Sequence, residues 1–352
     1  MVSTVAVVRT TPETVIDDYA RVIKLAGCKL TKDVILKLNL SWSLYYPACS
    51  SQPWQVEGVV KALCKKHNVI PVENHTVVTD VWKGARDNLW LPILEKYGLT
   101  YQPLTEVEWV PFKPKAKLRA LQRVFPEGLR VPKLFKGKSI VHLPTVKTHG
   151  HTMMTGAMKN AFGGLIDARR HHCHKHIHEV LVDLLHIQKE LHPKIFAVMD
   201  GTVIGDGAGP RTMIPRTGNI LLASHDQVAI DAVSAKLMGF DPMRIPFLRM
   251  AHEDGLGCAD VSKIRMVGDD VSDINFHCKT RKSPVIFFDQ MFRNHSHAIE
   301  RWLFHTGLFH ACVLGSGWYH DKVWYPLVGR HRIRKFMGTE WGRLWGLYAG
   351  RQ

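Results

Sequence analysis

Apolar and polar positions along the first hundred residues alternate in blocks of two kinds. Thr4–Val8 and Val34–Leu38 are short, continuous apolar runs rich in β-branched residues, and Val69–Glu73 is a third. Between them, Pro12–Leu25 and Gln55–Lys66 repeat their apolar positions at helical spacing. A run that is apolar on both faces is what a buried parallel strand requires, and the helices between such runs serve as its crossovers. The rhythm returns after an irregular stretch over residues 103–136, which reads as a solvated connection. Ser139–Leu143 is the next strand, Pro144–His151 leaves it, and Thr152–Leu165 and Glu179–Leu191 are helical. Ile195–Met199 and Asn219–Ala223 are strands. A helix then runs to Met238, where Gly239 suits a left-handed cap, and Lys263–Val267 is a last core strand.

The pattern predicts an α/β protein of two lobes, each with a mostly parallel sheet flanked by helices, and a cleft between them. The lobes are expected over residues 1–135 and 136–283, followed by a helical C-terminal extension over 284–352. That extension holds five of the ten tryptophans and the basic cluster Arg330-His331-Arg332-Ile333-Arg334-Lys335.

Composition narrows the partners more than the fold. The net charge is +16 and the pI about 9.6, an excess that favours anionic partners. The basic residues form no nucleic-acid-binding motif, so nucleic acid is not expected. None of the seven cysteines forms a CxxC pair, so no iron–sulfur cluster is predicted. Their scattered placement suits free thiols in the cytoplasm.

Chemistry concentrates between His142 and His192, which enclose ten of the 21 histidines. Lys147, Thr148, His149 and His151 follow a strand where a loop is expected to turn into a helix, a place suited to holding an anion and passing a proton. Thr155 and Lys159 share one helix face, with Asn160 beside them. A lysine set among Ala157, Met158, Ala161 and Phe162 is expected to be partly buried, which lowers its pKa and equips it as a base. His171, His172, His174, His176 and His178 form a tract of metal-ligand type, though without a strict spacing motif. Asp200-Gly201 and Gly205-Asp206-Gly207-Ala208-Gly209-Pro210 read as a flexible loop whose carboxylates could hold a metal. Asp226 reads as a helix cap, while Asp231 has no such simple account. Lys37, Asn39, Glu73 and His75 fall at strand ends, where open α/β sheets gather their ligands.

Six blocks in order carry a family resemblance: VILKLN, LPTVKTHGHTMMTGAMKNAFGG, HEVLVDL, AVMDGTVIGDGAGP, ILLASHDQVAIDAVSAKLMGFDP and GLGCADVSKIRMVG. The chain resembles the domain of unknown function 362 family of prokaryotic proteins from about residue 4 to 270. The resemblance places the family's motif positions on Lys37 and Asn39, Lys147 to His149, and Thr155, Gly156, Lys159 and Asn160. It continues through Asp200 to Pro210 and ends on Asp226 and Asp231. Many members look like iron–sulfur proteins through an attached ferredoxin-type cysteine module, which this chain lacks. The family is also distantly similar in architecture to the lactate racemase group, a likeness of fold that carries no reaction.

Together these readings predict an enzyme acting on a small carboxylate or phosphate by Lys/His proton transfer, with a divalent metal as an optional participant. Lys147, His149, Lys159 and Asn160 are the expected catalytic set. Lys37, Asn39, Glu73, Thr155, Asp226 and Asp231 are expected to bind substrate, and Asp200, Asp206, His174, His176 and His178 to hold the metal. The alternative is a non-catalytic binding or maturation protein for a cofactor or an iron–sulfur partner. A homodimer and peripheral membrane contact through the extension both stay open.

Overall fold

The computed structural model describes residues 2–76, 78–166, 168–295, 302, 306 and 308–350. The apolar runs form a mixed, mostly parallel sheet. In chain order its strands are β1 (Thr4–Arg9), β2 (Asp33–Lys37), β3 (Asn68–Glu73) and β4 (Gln102–Pro103), while β5 (Trp109–Phe112) and β6 (Leu129–Pro132) form a separate hairpin. β7 (Ser139–His142), β8 (Thr145–His149), β9 (Met153–Met154), β10 (Ile195–Ala208), β11 (Thr212–Ser224) and β12 (Arg265–Gly268) complete the main sheet. The order is β12-β1-β11-β10-β7-β2-β3-β4, with β8 pairing β10 beyond the end of β7 and β9 attached to β8. The two stretches expected as lobes on either side of residue 135 share this sheet, because β2 pairs in parallel with β7, Lys37 opposite His142.

Alternation along each strand divides the core in two. Val5, Val7 and Ile35 point to one side, where α6 (Ala157–Leu165), α7 (Ile177–Leu191), α8 (Gln227–Met238) and α9 (Pro246–Glu253) pack. Ala6, Val8, Val34 and Leu36 point to the other, against α1 (Val15–Leu25), α2 (Pro53–Leu63), α3 (Val81–Asp87) and α4 (Trp90–Lys96). The short α5 (Leu121–Val124) lies in the stretch expected to be a solvated connection. That stretch is instead anchored: buried Asp183 accepts from the backbone N–H of Arg119, Ala120 and Leu121 at 2.6 to 2.8 Å.

Two segments depart from the sequence expectation. Residues 144–151 were expected to leave the sheet, but Thr145–His149 is a fully buried strand. The glycine-rich stretch after Met199 is no loop. β10 and β11 run together as one long antiparallel hairpin from Ala197–Ser224 to Ala208–Thr212, with a bulge at Gly201–Val203. Gly201, Gly205 and Gly209 serve close packing, while Gly207 supplies a left-handed backbone conformation, φ +99°. A Cβ on Gly209 would lie 1.8 Å from the Thr148 carbonyl oxygen, so β8 can approach only a glycine there.

The extension is helical, as expected. α10 (Pro284–His295) and Leu308–Trp318 lie over the carboxyl ends of β2 and β3. Residues 319–348 are knitted into the core. Trp341 tilts against Trp54 with ring centres 5.2 Å apart, Trp345 stacks on Tyr45 at 4.3 Å, and the Trp42 indole donates to Asp321 at 2.7 Å. Among the described residues no helix is long and apolar enough to cross a membrane.

Candidate active site

The carboxyl ends of β2 and β3 deliver Lys37 and Glu73 to the floor of one cavity of about 460 Å³. Lys37 is 1% and Glu73 2% exposed, so each charge depends on the other. The Lys37 Nζ donates to Glu73 Oε1 at 2.5 Å and to the Leu38 carbonyl at 2.9 Å. Glu73 is held in turn by the N–H groups of Asn74 and Leu40, each at 2.8 Å. Burial pulls the Lys37 ammonium below its ordinary range, and Glu73 pulls it back up.

Helix α6 supplies Lys159 and Asn160. Its position is fixed by Asp231, which reaches across from α8 and accepts from the N–H of Ala157 at 2.6 Å and of Met158 at 3.0 Å. A Cβ on Gly156 would lie 2.3 Å from Asp231 Oδ1, so only glycine permits this remote cap. Asn160 donates to the Lys37 carbonyl at 3.1 Å and accepts from Asn39 Nδ2 at 3.2 Å. Asn39 Oδ1 accepts from Lys147 Nζ at 2.6 Å. Asn39 and Asn160 thus line the cavity in fixed orientation.

Lys159 behaves differently. Its amine faces the cavity, 5.6 Å from the centre of the Phe162 ring, and donates to no acceptor among the described residues. Burial lowers its pKa to about 8, helped by the nearby Arg170 guanidinium. Arg170, Arg211 and Arg293 also line the cavity, against Glu73 and Asp289 as the acidic groups among the described residues. Asp289 is paired with Arg293 at 3.0 Å. The net character of the cavity is therefore cationic.

Lys147 does not reach this cavity. It sits inside β8 rather than at a helix start, and all three of its N–H bonds are spent, on Asn39 Oδ1, the Cys49 carbonyl and Thr145 Oγ1, at 2.6 to 2.7 Å. Burial lowers its pKa to about 7, yet three acceptors at such distances require the ammonium form. It orients Asn39. Thr155 is likewise turned inward, donating to the Thr145 carbonyl at 3.2 Å. His149 lines an adjoining chamber of about 220 Å³ with His151 and His174. Burial, then Lys159, hold its pKa well below the usual imidazole range. Its Nδ1 accepts from the His151 N–H at 3.1 Å, which leaves Nε2 as the protonated nitrogen.

The expected metal ligands are not brought together. Asp200 is fully buried and accepts from Tyr19 at 2.5 Å, from Trp54 at 3.1 Å, and from the N–H and hydroxyl of Thr202 at 3.0 and 2.7 Å. Four donors make it a brace between β10, α1 and α2. Asp206 lies farther along the hairpin and binds the Lys279 N–H and Arg216. His174 borders both cavities, His176 meets Arg123 at 3.4 Å, and His178 stacks on Phe247. Among the described residues no three His, Cys, Asp or Glu side chains are placed to hold a metal ion. Asp226 is also structural, capping α8 through Val228 and Ala229 at 2.9 Å. His75 does not line either cavity.

Sequence reasoning missed the arginines and the roof. Arg170 opens the histidine tract and Arg211 follows Pro210, so both stood beside residues that were singled out. Phe288, Phe292 and Phe309 close the cavity from the extension, and His171 stacks on Phe309 at 3.8 Å.

Comparison with known proteins supplies kinship without chemistry. The chain belongs to the family described as Domain of unknown function (DUF362), whose model matches residues 34–236. A thylakoid-associated protein of Synechocystis sp. is 32% identical over 122 residues, a stretch that is 34% of this chain and only 37% of that protein. No solved structure matches the chain.

Proposed function

We propose that this DUF362 member is a cytoplasmic enzyme that binds a small carboxylate or phosphate in the 460 Å³ cavity and transfers a proton through Lys159. The observation that carries the reading is the Lys159 amine: half-buried, facing the cavity, beside Arg170, and without a hydrogen-bond acceptor among the described residues. A structural lysine spends its donors, as Lys147 does. With a pKa of about 8, Lys159 exchanges a proton near neutral pH, where acid–base catalysis is most effective.

Lys37 spends two of its three N–H bonds on the fold, and the third remains for the anion at the end of the cavity that Arg170 also lines. Glu73 keeps Lys37 charged and in place. Asn39 and Asn160 offer amide dipoles already oriented by Lys147 and the Lys37 carbonyl, so they lose little freedom on binding. His149 sits in the adjoining chamber as a neutral donor. No step is routed through a metal, because the candidate ligands do not converge. Cytoplasmic placement is supported by seven cysteines, none of them in a disulfide.

The test is hydrogen–deuterium exchange into a panel of carboxylates and phosphate esters in D2O, read by proton NMR. Lys159→Met is expected to lower exchange by a factor of ~10²–10⁴. Equal exchange by both proteins would overturn the role of Lys159. Ligand recovered from both proteins, with exchange in neither, would replace catalysis with a binding or maturation function.

A further inference from the structure

The cavity has two chemically opposed ends. Lys37, Lys159 and Arg170 form a cationic floor, while Val285, Phe288 and Phe292 of α10 and Phe309 and Val313 of Leu308–Trp318 form an apolar roof. A small hydrophilic anion would satisfy the floor and leave five apolar side chains facing water. A ligand with an anionic head and an apolar body satisfies both ends.

The roof is apolar on its outer side as well. Among the described residues, nine of the fourteen exposed large apolar side chains lie from residue 287 onward. On α10 they are Phe287 at 53%, Phe288 at 51% and Met291 at 41% exposure, spaced as one helix face; on the next helix, Leu314 at 73% and Trp318 at 65% stand one turn apart. Phe288 belongs to both surfaces, lining the cavity while half exposed, so the cavity opens among these side chains. The helical run continues into Arg330, His331, Arg334 and Lys335, all exposed. An apolar helical stretch continued by a basic one suits adsorption to an anionic bilayer without crossing it.

We propose that the cavity takes the anionic head and part of the apolar tail of an amphiphile, drawn in through α10 and Leu308–Trp318 while these rest on an anionic lipid surface. This rests on the anion-binding reading above and names its substrate class and source.

Two measurements on the full chain test it. In vesicle flotation, the protein should rise with vesicles of phosphatidylcholine and phosphatidylglycerol and rise far less with phosphatidylcholine alone. The triple variant F287S/M291S/L314S changes only side chains outside the cavity lining, and should lose at least tenfold in bound fraction while keeping its thermal melting point. Wild-type protein that stays down with the anionic vesicles, or a folded variant that floats equally, would overturn the membrane source. In the second measurement, straight-chain carboxylates from butyrate to dodecanoate displace a dansylated undecanoic acid. Each added methylene should tighten binding about fourfold until the tail leaves the cavity, and Lys159→Met should weaken every chain length alike. Butyrate and phosphate binding that depends on Lys159, with no gain on lengthening, would overturn the amphiphile and spare the anion reading. A chain-length gain indifferent to Lys159 would overturn the anion reading itself.

Discussion

Replacing Lys159 with Met should stabilise the ligand-free protein while removing its activity. The lysine amine is half-buried beside Arg170 and gains no hydrogen bond from the described residues in return. A pKa lowered from 10.5 to about 8 means that the ammonium is less favourable in the fold than in the unfolded chain by about 3 kcal/mol. Water in the cavity screens part of this, so the expected gain at pH 7 is about 1–3 kcal/mol. For 352 residues, with an unfolding entropy of about 2.1 cal/mol/K per residue, that is a rise in Tm of roughly 1–4 °C. The sign with pH follows from linkage. Because the folded pKa lies below the unfolded one, the wild type carries the full penalty below pH 8. It sheds the penalty between about 8 and 10.5, as the unfolded chain binds the extra proton. The difference in Tm between the Lys159→Met variant and the wild type should therefore be positive at pH 7 and close to zero above pH 10.5. Calorimetry of both proteins at matched pH and salt reads it directly. A destabilised variant, or a difference that does not change with pH, would refute the view that this lysine is held at the expense of stability.

Three further outcomes follow from the same geometry. Phosphate or butyrate affinity should fall as pH rises through about 8, since the free protein then loses the Lys159 charge, and titration calorimetry of the Lys159→Met variant should show no such step. Glu73→Gln leaves the Lys37 ammonium buried without its counter-charge and should cost about 3–5 kcal/mol by urea unfolding. Asp231→Ala removes two caps from α6 and should cost about 1–3 kcal/mol in the same assay.

What could be read from the chain was what depends on local pattern. β2 and β3 announce themselves because a strand covered on both faces must be continuously apolar, and their ends place Lys37 and Glu73. Lys159 stands out because a cation among Ala157, Met158, Ala161 and Phe162 has little access to water. What could not be read depends on contacts between distant segments. Thr145–His149 carries Thr, Lys and His into the interior, where their partners come from residues 39, 49, 205 and 207, so its polarity imitates a loop. Four glycines between residues 201 and 209 imitate a turn, although Gly209 is needed by β8 lying across it. Asp231 caps a helix that begins 74 residues earlier, a task no periodicity encodes. The roof left only a compositional trace, because its aromatics are divided between the cavity and the outside.

The placement of β1 bears on how the molecule comes to exist. Thr4–Arg9 lies between β11 and β12, so Ala6 waits for Ala223 and Val5 for Met266. During synthesis the first strand leaves the ribosome long before either neighbour, with Val5, Ala6, Val7 and Val8 all bound for complete burial. At about 5–20 residues per second, its unpaired edges stand open for roughly ten seconds or more. A strand made more than 200 residues before its partners stays unsheltered until they arrive, and it is there that a chaperone has most to do.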